Sequence, residues 1–479
     1  MKEKTRAQSG RDNAEKGFSL RDLKQEKGFY RDVLLLMLPM VFQNFITNFM
    51  SLADTFMVGA LGETELAAVT MANTPFFIVQ LLTFGIQSGA CVLVAQYYGK
   101  GNKAAINRVL GIALYVSLFF SLVIVAISTL APATMMRVLT NNDTLIAPGA
   151  DYARVVCFAY LFGAISGIYI AVQRSMENPR LGAVVLSMSG VLNVFLNWVL
   201  IFGRLGMPQM GVMGAALATA ISRGFELVVS VVYALFSKRL RLQPGLMLRP
   251  GRLISADFVR YALPVVINET LWSLGTSLYT VIMGHMPDNT PIIAAYTIAG
   301  NLDRVLSVCL FACSGAAAIL IGKGIGEGKP RHTLMGQGVA LNLVAVCIGV
   351  FSAVMVLLVR GLLAEKVLFP LMGLGAEAVG TAMFMLLIIA IELPFRALNI
   401  TNVVGVLRGG GDVNFALLVD VAPMYVVCVP LCALCGLVLK LGIGVVYICM
   451  YLDDAVKMLL CLLRLRSGKW INNVTREAV

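Results

Sequence analysis

Apolar residues recur along almost the whole chain, in runs long enough to form membrane-spanning helices. A helix that crosses a bilayer needs about 20 consecutive, mostly apolar residues. Twelve such runs are present, at residues 33–60, 66–98, 106–132, 153–173, 184–203, 211–236, 258–284, 292–321, 334–359, 377–405, 414–438 and 442–463. The pattern predicts an all-α membrane protein with twelve transmembrane helices.

Composition and the distribution of charge support this prediction. Of the 479 residues, 58% are hydrophobic and 13% are charged, whereas a soluble domain carries about 25% charged residues. The net charge of +12 could indicate a nucleic-acid partner. However, with twelve spans the tails and inner loops hold 28 Lys and Arg residues, and the outer loops hold five. This asymmetry predicts a multi-pass protein of the cell membrane with both termini in the cytoplasm, and it argues against a nucleic-acid partner.

The chain also contains a weak internal repeat. Leu38-Pro39 recurs as Leu263-Pro264, and the stretch at 99–102 resembles the stretch at 326–329, with an offset that drifts only from 225 to 234. Six helices per copy is an even number, so we expect two parallel repeats around a central cleft. The predicted units are a cytoplasmic tail at 1–30, an N-lobe at 31–236, a cytoplasmic linker at 237–257, a C-lobe at 258–464 and a cytoplasmic tail at 465–479.

Several charged residues fall inside the predicted spans, where a charge is costly and usually faces a bundle interior or a wet cavity. Asp54 is the only charged residue between Val33 and Gly62. Like Glu269 and Asp420, it has no basic residue within one helical turn. Asp303 and Glu392 are further candidates. Glu392 has Arg396 one turn away, so a compensated structural pair is an equally good interpretation.

Polar residues accompany these acids at helical spacing. Helix 1 carries Asn44, Thr47, Asn48 and Ser51 before Asp54, helix 7 carries Ser273 and Ser277 after Glu269, and helix 5 carries Asn193 and Asn197. Such stripes are typical of helices that line a watery cavity, although hydrogen bonding between helices is the alternative interpretation. We therefore predict Asp54, Asn193, Asn197 and Glu269 as the residues that couple ions to substrate, with the other polar residues lining the cavity.

The predicted chemistry is ion exchange. A carboxylate in a medium of low dielectric binds a proton more readily than one in water. It can hold H⁺ or Na⁺ in one conformation and release it in another, and Asn oxygens could help to hold Na⁺ near Asp54. No other metal or cofactor is expected. The sequence contains two histidines and no HExxH, GxSxG or phosphate-binding loop motif, which makes an enzyme a remote alternative.

The order of motifs resembles the prokaryotic multidrug and toxic compound extrusion (MATE) transporters. The resemblance lies in Asp54-Thr-Phe-Met-Val-Gly-Ala-Leu-Gly, Gln96-Tyr-Tyr-Gly-Lys-Gly-Asn102, Asn193-Val-Phe-Leu-Asn197 and Arg408-Gly-Gly-Gly-Asp412. It implies two six-helix lobes around a V-shaped cleft, and export of small cationic, amphipathic compounds in exchange for Na⁺ or H⁺ by a single chain. It also implies that Asp54 and Asn193 occupy the family's ion-coupling positions.

One residue departs from the family pattern. Many prokaryotic members have an aspartate where this chain has Asn197, so its N-lobe site has one formal charge fewer, and weight shifts toward Glu269. The chief alternative function is a lipid-linked oligosaccharide flippase of the same superfamily. Such clefts tend to be basic, whereas Asp54 and Glu269 are acidic. A major-facilitator carrier is a further alternative, but the loop at 99–108 lacks that family's Asp-Arg-Gly-Arg pattern.

Overall fold

The structure is a computed structural model that describes Gln25 and residues 28–287, 289–371 and 374–476. Regular secondary structure in these ranges is helical throughout, which confirms the all-α prediction. The predicted tail at 1–30 lies almost wholly outside the described residues.

The first six long helices form the N-lobe and follow the predicted order. They are α1 (Phe29–Gly59), α2 (Glu63–Gly99), α3 (Lys103–Leu130), α4 (Asp143–Ser175), α5 (Pro179–Phe202) and α6 (Gly211–Phe236). Helix α4 begins ten residues before the predicted apolar run because its first turns are polar. The Asn142 side chain caps this start by accepting a hydrogen bond from the Thr144 backbone N–H at 3.1 Å.

The next six helices form the C-lobe. They are α7 (Arg252–Gly284), α8 (Asn289–Leu306 and Val308–Gly326), α9 (Arg331–Leu368), α10 (Glu377–Leu407), α11 (Val413–Val438) and α12 (Ile443–Cys449 and Leu452–Ser467). The predicted continuous helices at 292–321 and 442–463 are thus each interrupted, at Ser307 and at Met450-Tyr451. Helix α12 also runs three residues beyond the predicted end of the lobe at 464.

Ten of the helices in the described ranges are long and apolar enough to cross a membrane. The other two are α7 and α12. Helix α7 is long but carries Asn268 and Glu269 at its middle, whereas the main part of α12 has 16 residues and includes Asp453, Asp454 and Lys457. A spanning helix hydrogen-bonds its own backbone. Its polar side chains need partners of their own, and neighbouring helices can supply them.

The lobes meet along α1 and α2 of the N-lobe and α7 and α8 of the C-lobe. We call the face on which α2, α4, α6, α8 and α10 end the basic face, because the predicted basic loops lie there. At this face the two backbones touch. A Cβ atom on Gly99 would lie 2.1 Å from the Lys323 carbonyl oxygen, and one on Gly326 would lie 1.9 Å from the Gln96 carbonyl oxygen. Only glycine permits this approach, which closes the seam between the lobes at the basic face.

Candidate functional site: buried acids in two lobes

The carboxylate of Asp54 lies inside the N-lobe, in contact with α5. The side-chain amide of Asn197 donates a hydrogen bond to Asp54 Oδ1. The same amide donates to Asn193 Oδ1 at 3.4 Å, and the Asn193 amide donates to Thr219 Oγ1 on α6 at 3.4 Å. The structure therefore brings three of the four predicted coupling residues together, in a chain of hydrogen bonds that crosses three helices.

Small residues on α5 allow this contact. A Cβ atom on Gly182 would lie 2.8 Å from Gln43 Oε1, and one on Gly190 would lie 2.3 Å from the Met50 sulfur. These glycines lie at a spacing of about two helical turns, on the side of α5 that α1 covers. They let α1 lie directly against α5. The contact continues along both helices and brings Asp54 against Asn197.

The other polar residues of the α1 stripe turn toward open space. Thr47 and Ser51 are exposed, and Asn44 and Asn48 are half-buried. The Thr47 hydroxyl donates to the Gln43 carbonyl oxygen at 2.9 Å. The exposed Thr47 hydroxyl thus bonds within its own helix rather than to a neighbouring one. The role of these residues as cavity lining stays a prediction.

An aromatic cluster lies in the same lobe. The Tyr160 ring stacks on the Phe76 ring, with centroids 4.7 Å apart and planes 10° apart. The hydroxyls of Tyr152 and Tyr160 both donate to Asn73 Oδ1 at 3.4 Å. The cluster therefore joins α2 to α4 inside the N-lobe through ring stacking and hydrogen bonds.

Arg223 and Glu226 form the ion pair that their spacing on α6 predicts. Arg223 Nη1 lies 2.7 Å from Glu226 Oε2, and the Ser166 hydroxyl donates to Glu226 Oε1 at 2.5 Å. The Glu226 side chain is 1% exposed and that of Arg223 is 34% exposed. Arg223 is thus anchored by the buried acid, and its bonded partner is Glu226 rather than Asp54.

Glu269, the fourth predicted coupling residue, has a basic partner from another helix. Arg408, at the end of α10, donates from Nη1 to Glu269 Oε1 at 2.7 Å and to the Ser88 hydroxyl of α2 at 3.3 Å. The Arg408 side chain is 2% exposed. Glu269 therefore belongs to a buried ion pair at the seam between the lobes, and it makes no contact with the Asp54 site.

The remaining candidate acids of the C-lobe also have basic partners. Lys457 Nζ lies 3.2 Å from Asp420 Oδ1 and 2.8 Å from Asp453 Oδ2. The Asn268 amide adds a hydrogen bond to Asp420 Oδ2 at 2.8 Å. Asp420 lacks a cation on its own helix, and α12 supplies one across the lobe.

Arg396 is the basic partner of Asp303 and Glu392. The Arg396 guanidinium donates to both oxygens of Asp303, at 2.8 Å through Nη1 and also through Nη2, and to the Ser307 hydroxyl at 3.0 Å. Glu392 lies 3.3 Å from Arg396 Nε without hydrogen-bond geometry. Farther along α7, Ser273 is half-buried and Ser277 is exposed, with its hydroxyl bonded to the Ser273 carbonyl oxygen.

Sequence reasoning missed four residues of the N-lobe site: Asn73, Tyr152, Tyr160 and Thr219. None of them is charged, so none stands out as an intramembrane charge. Since their significance comes from contacts between different helices, no spacing rule within one helix could have found them.

Two six-helix lobes, with ionisable groups buried between their helices, are typical of a multi-pass membrane transporter. The sequence pattern of the MatE family matches the chain twice, over residues 39–199 and again over residues 264–434. The chain belongs to this family of multidrug and toxic compound extrusion transporters. The two matches begin at Pro39 and Pro264, the pair from which the internal repeat was predicted, and the repeat is thereby confirmed.

Several bacterial proteins are similar along most of the chain. The probable multidrug resistance protein NorM of Thermotoga maritima is 25% identical over 460 residues, which cover 94% of this chain and 95% of that protein. The uncharacterized transporter YisQ of Bacillus subtilis is 24% identical and covers 90% of this chain and 93% of its own length. The multidrug resistance protein PmpM of Pseudomonas aeruginosa is 24% identical, and the match covers 69% of each protein.

Solved structures share the fold. A MOP superfamily transporter from Pyrococcus furiosus superposes with a TM-score of 0.80 at 20% identity, covering 92% of this chain and 98% of that chain. A multidrug resistance MATE family transporter in an outward-facing conformation gives a TM-score of 0.80 at 19% identity, covering 93% and 99%. The prediction of twelve transmembrane helices in two parallel repeats is confirmed by this likeness.

Proposed function

We propose that this transporter exports small cationic, amphipathic organic compounds in exchange for H⁺ or Na⁺. The observation that carries the proposal is the bonding of Asp54. This carboxylate lies inside the N-lobe, its hydrogen bond comes from a neutral amide, and it forms no salt bridge within the described ranges. A buried acid without a bonded cation is costly. Binding a proton, Na⁺ or a positively charged cargo removes that cost.

Exchange follows from the single charge. One carboxylate is neutralised by one monovalent cation at a time, so the arriving ion and the bound cargo compete for Asp54. Cargo is released on one side when the ion binds there, and the ion is released on the other side when cargo binds. Each conformation need only favour one of the two occupants.

The surroundings of Asp54 fit either coupling ion. Asn197 Oδ1 is buried and has no hydrogen-bond donor. An oxygen of this kind, beside a carboxylate, is a ligand that Na⁺ accepts. For H⁺, the carboxylate alone suffices. We propose Asp54, Asn193 and Asn197 as the coupling group in both cases, with no further cofactor.

The aromatic cluster supports the cargo class. Tyr160 is half-buried and stacks on the fully buried Phe76, so the Tyr160 ring is the one open to cargo, and aromatic faces attract organic cations. A cationic cargo at Asp54 would place its apolar body against this ring. The names of NorM and PmpM describe multidrug resistance proteins, which agrees with cargo of broad chemistry.

Transport by alternating access would rock the two lobes about the seam. In the structure the seam is closed at the basic face by the contacts of Gly99 and Gly326. We propose that this face is cytoplasmic, in the cell membrane, so that the described conformation opens away from the cytoplasm. The moving units are the predicted lobes at 31–236 and 258–464, and because one chain contains both lobes, a monomer suffices.

Purified protein in proteoliposomes tests the proposal. We expect ethidium movement when a Na⁺ gradient or a pH gradient is imposed, and little movement without one. Transport driven by a Na⁺ gradient at equal pH assigns Na⁺, and transport driven only by a pH gradient assigns H⁺. Liposomes that contain Asp54→Asn are the matched control. Gradient-driven transport by that variant at the parental rate would contradict the proposed site, and the absence of dye transport under any gradient would contradict the cargo class.

A further inference from the structure

The chain beyond α12 forms an ordered segment on the basic face, which we call the C-terminal strap (residues 470–476). It leaves α12 through Gly468, whose φ of +61° suits glycine. The Trp470 side chain is fully buried, and its indole N–H donates to the Leu465 carbonyl oxygen at 3.1 Å. Trp470 therefore fixes the start of the strap to the C-lobe.

The strap next runs along the loop between α10 and α11. The Asn472 backbone N–H donates to the Gly410 carbonyl oxygen at 2.8 Å. A Cβ atom on Gly410 would lie 2.5 Å from the Trp470 carbonyl oxygen, and one on Gly411 would lie 2.7 Å from Val474 Cγ1. The glycines of Arg408-Gly-Gly-Gly-Asp412 thus make room for the strap.

Gln96 of the N-lobe joins this assembly. Its side chain is completely buried. The amide nitrogen donates to the Gly409 carbonyl oxygen at 3.1 Å and to the Asn472 carbonyl oxygen at 3.1 Å, while Oε1 accepts from the Val474 backbone N–H at 2.9 Å. One residue of α2 is therefore bonded both to the C-lobe and to the strap, at the point where the lobes touch.

The end of the strap adds charged contacts to both lobes. Arg476 forms a two-pronged ion pair with Asp257 at the start of α7, with Nε–Oδ2 and Nη2–Oδ1 distances of 2.5 and 2.7 Å. The ammonium of Lys100, the residue after α2, donates to the Arg476 carbonyl oxygen at 2.8 Å. The Arg476 backbone N–H also donates to the Tyr97 hydroxyl at 3.4 Å.

We propose that the C-terminal strap is a latch that holds the basic face closed. Opening this face requires α2 to part from α8 and from the loop at Gly409. The strap bonds to both sides of that seam, so the bonds of Gln96, Lys100 and Arg476 cannot all survive the movement. The strap therefore stabilises the closed arrangement relative to the open one. The inference rests on the proposed alternating access, but not on the coupling ion or the cargo.

Distance measurement between the lobes tests the latch without any transport assay. Lys103 on α3 and His332 on α9 are exposed residues of the basic face. Spin labels on Lys103→Cys and His332→Cys report its opening, after replacement of the cysteines that are not buried, which are Cys91, Cys309 and Cys347. In Arg476→Gln we expect the population with the longer distance to rise roughly fivefold, the scale of one charged, partly exposed contact.

Two further variants make the test specific. The exchanged pair Asp257→Arg with Arg476→Asp should return the population toward the parental value. Arg466→Gln removes the same charge from an exposed residue of α12 that has no salt bridge within the described ranges, and it should leave the distances unchanged.

The opposite results are equally clear. If Arg476→Gln lowers thermal stability without shifting the distances, the strap is only a structural element and the latch is wrong. If the exchanged pair folds but does not restore the population, the Asp257 contact is not part of a latch. A single distance in every variant and under every ion gradient would overturn alternating access itself, and the latch with it.

Discussion

The two lobes bury acids in different ways. In the N-lobe, Asp54 accepts a hydrogen bond from the Asn197 amide, whereas the cation Arg223 is bonded to Glu226. In the C-lobe, Glu269 and Asp420 are each within 3.2 Å of a basic nitrogen. A buried acid that has a fixed cation is already neutralised by it, whereas an acid held by a neutral amide is available to bind a mobile ion. The comparison supports the proposed coupling site in the N-lobe.

Paired variants of the two lobes test this difference most directly. We expect Asp54→Asn to reduce gradient-driven dye transport to the level of protein-free liposomes, because no exchangeable charge remains at the site. Glu269→Gln should leave measurable coupled transport in the folded fraction, since Arg408 rather than a mobile ion neutralises Glu269. Both are measured in proteoliposomes at equal amounts of folded protein. The reverse ranking would move the coupling site to the C-lobe.

The next largest effect should be a loss of stability from breaking the ion pairs of the C-lobe. Arg396→Leu leaves Asp303 and Glu392 without a cation, and breaking a buried pair costs about 3–5 kcal/mol. We expect a large fall in the midpoint of thermal unfolding in detergent. Arg466→Gln, which removes an exposed charge from α12, is the matched control and should stay close to the parent. An Arg396→Leu protein with parental stability would show that these C-lobe acids do not depend on their ion pair.

Asn197→Asp tests whether residue 197 acts on the charge of Asp54. This change places a second carboxylate against Asp54, and two carboxylates that share a site cannot both ionise easily. The pair would then retain a proton to higher pH. We expect the pH of half-maximal dye transport to rise by about one unit, equivalent to about 1.4 kcal/mol. Transport measured over a series of pH values checks this, and an unchanged profile would mean that residue 197 does not act on the exchanging charge.

The smallest effect should come from the aromatic cluster. Tyr160→Phe keeps the ring stacked on Phe76 but removes the hydroxyl that donates to Asn73. A neutral hydrogen bond contributes about 0.5–1.5 kcal/mol, so we expect a change of a few-fold in the dye concentration for half-maximal transport. Tyr160→Ala, which also removes the ring face, should have a larger effect. Equal effects of the two variants would contradict a role for the ring in cargo binding.

The membrane class, the helix order, the repeat and the presence of Asp54 in an apolar helix could all be predicted from the sequence. These features depend on local composition, because a bilayer requires long apolar helices and makes each intramembrane charge conspicuous. The pairing of Arg223 with Glu226 was likewise predictable, since residues three apart on a helix are neighbours.

Which of the buried acids have a cationic partner depends on how the helices pack. Glu269 and Asp420 have no cation on their own helices, yet Arg408 and Lys457 reach them from α10 and α12. The C-terminal strap likewise depends on contacts between residues more than 370 positions apart. The physical reason is the same in each case. Charge and hydrogen bonding act through space over a few ångströms, and helix periodicity shows which residues share a face but not which face of another helix lies opposite.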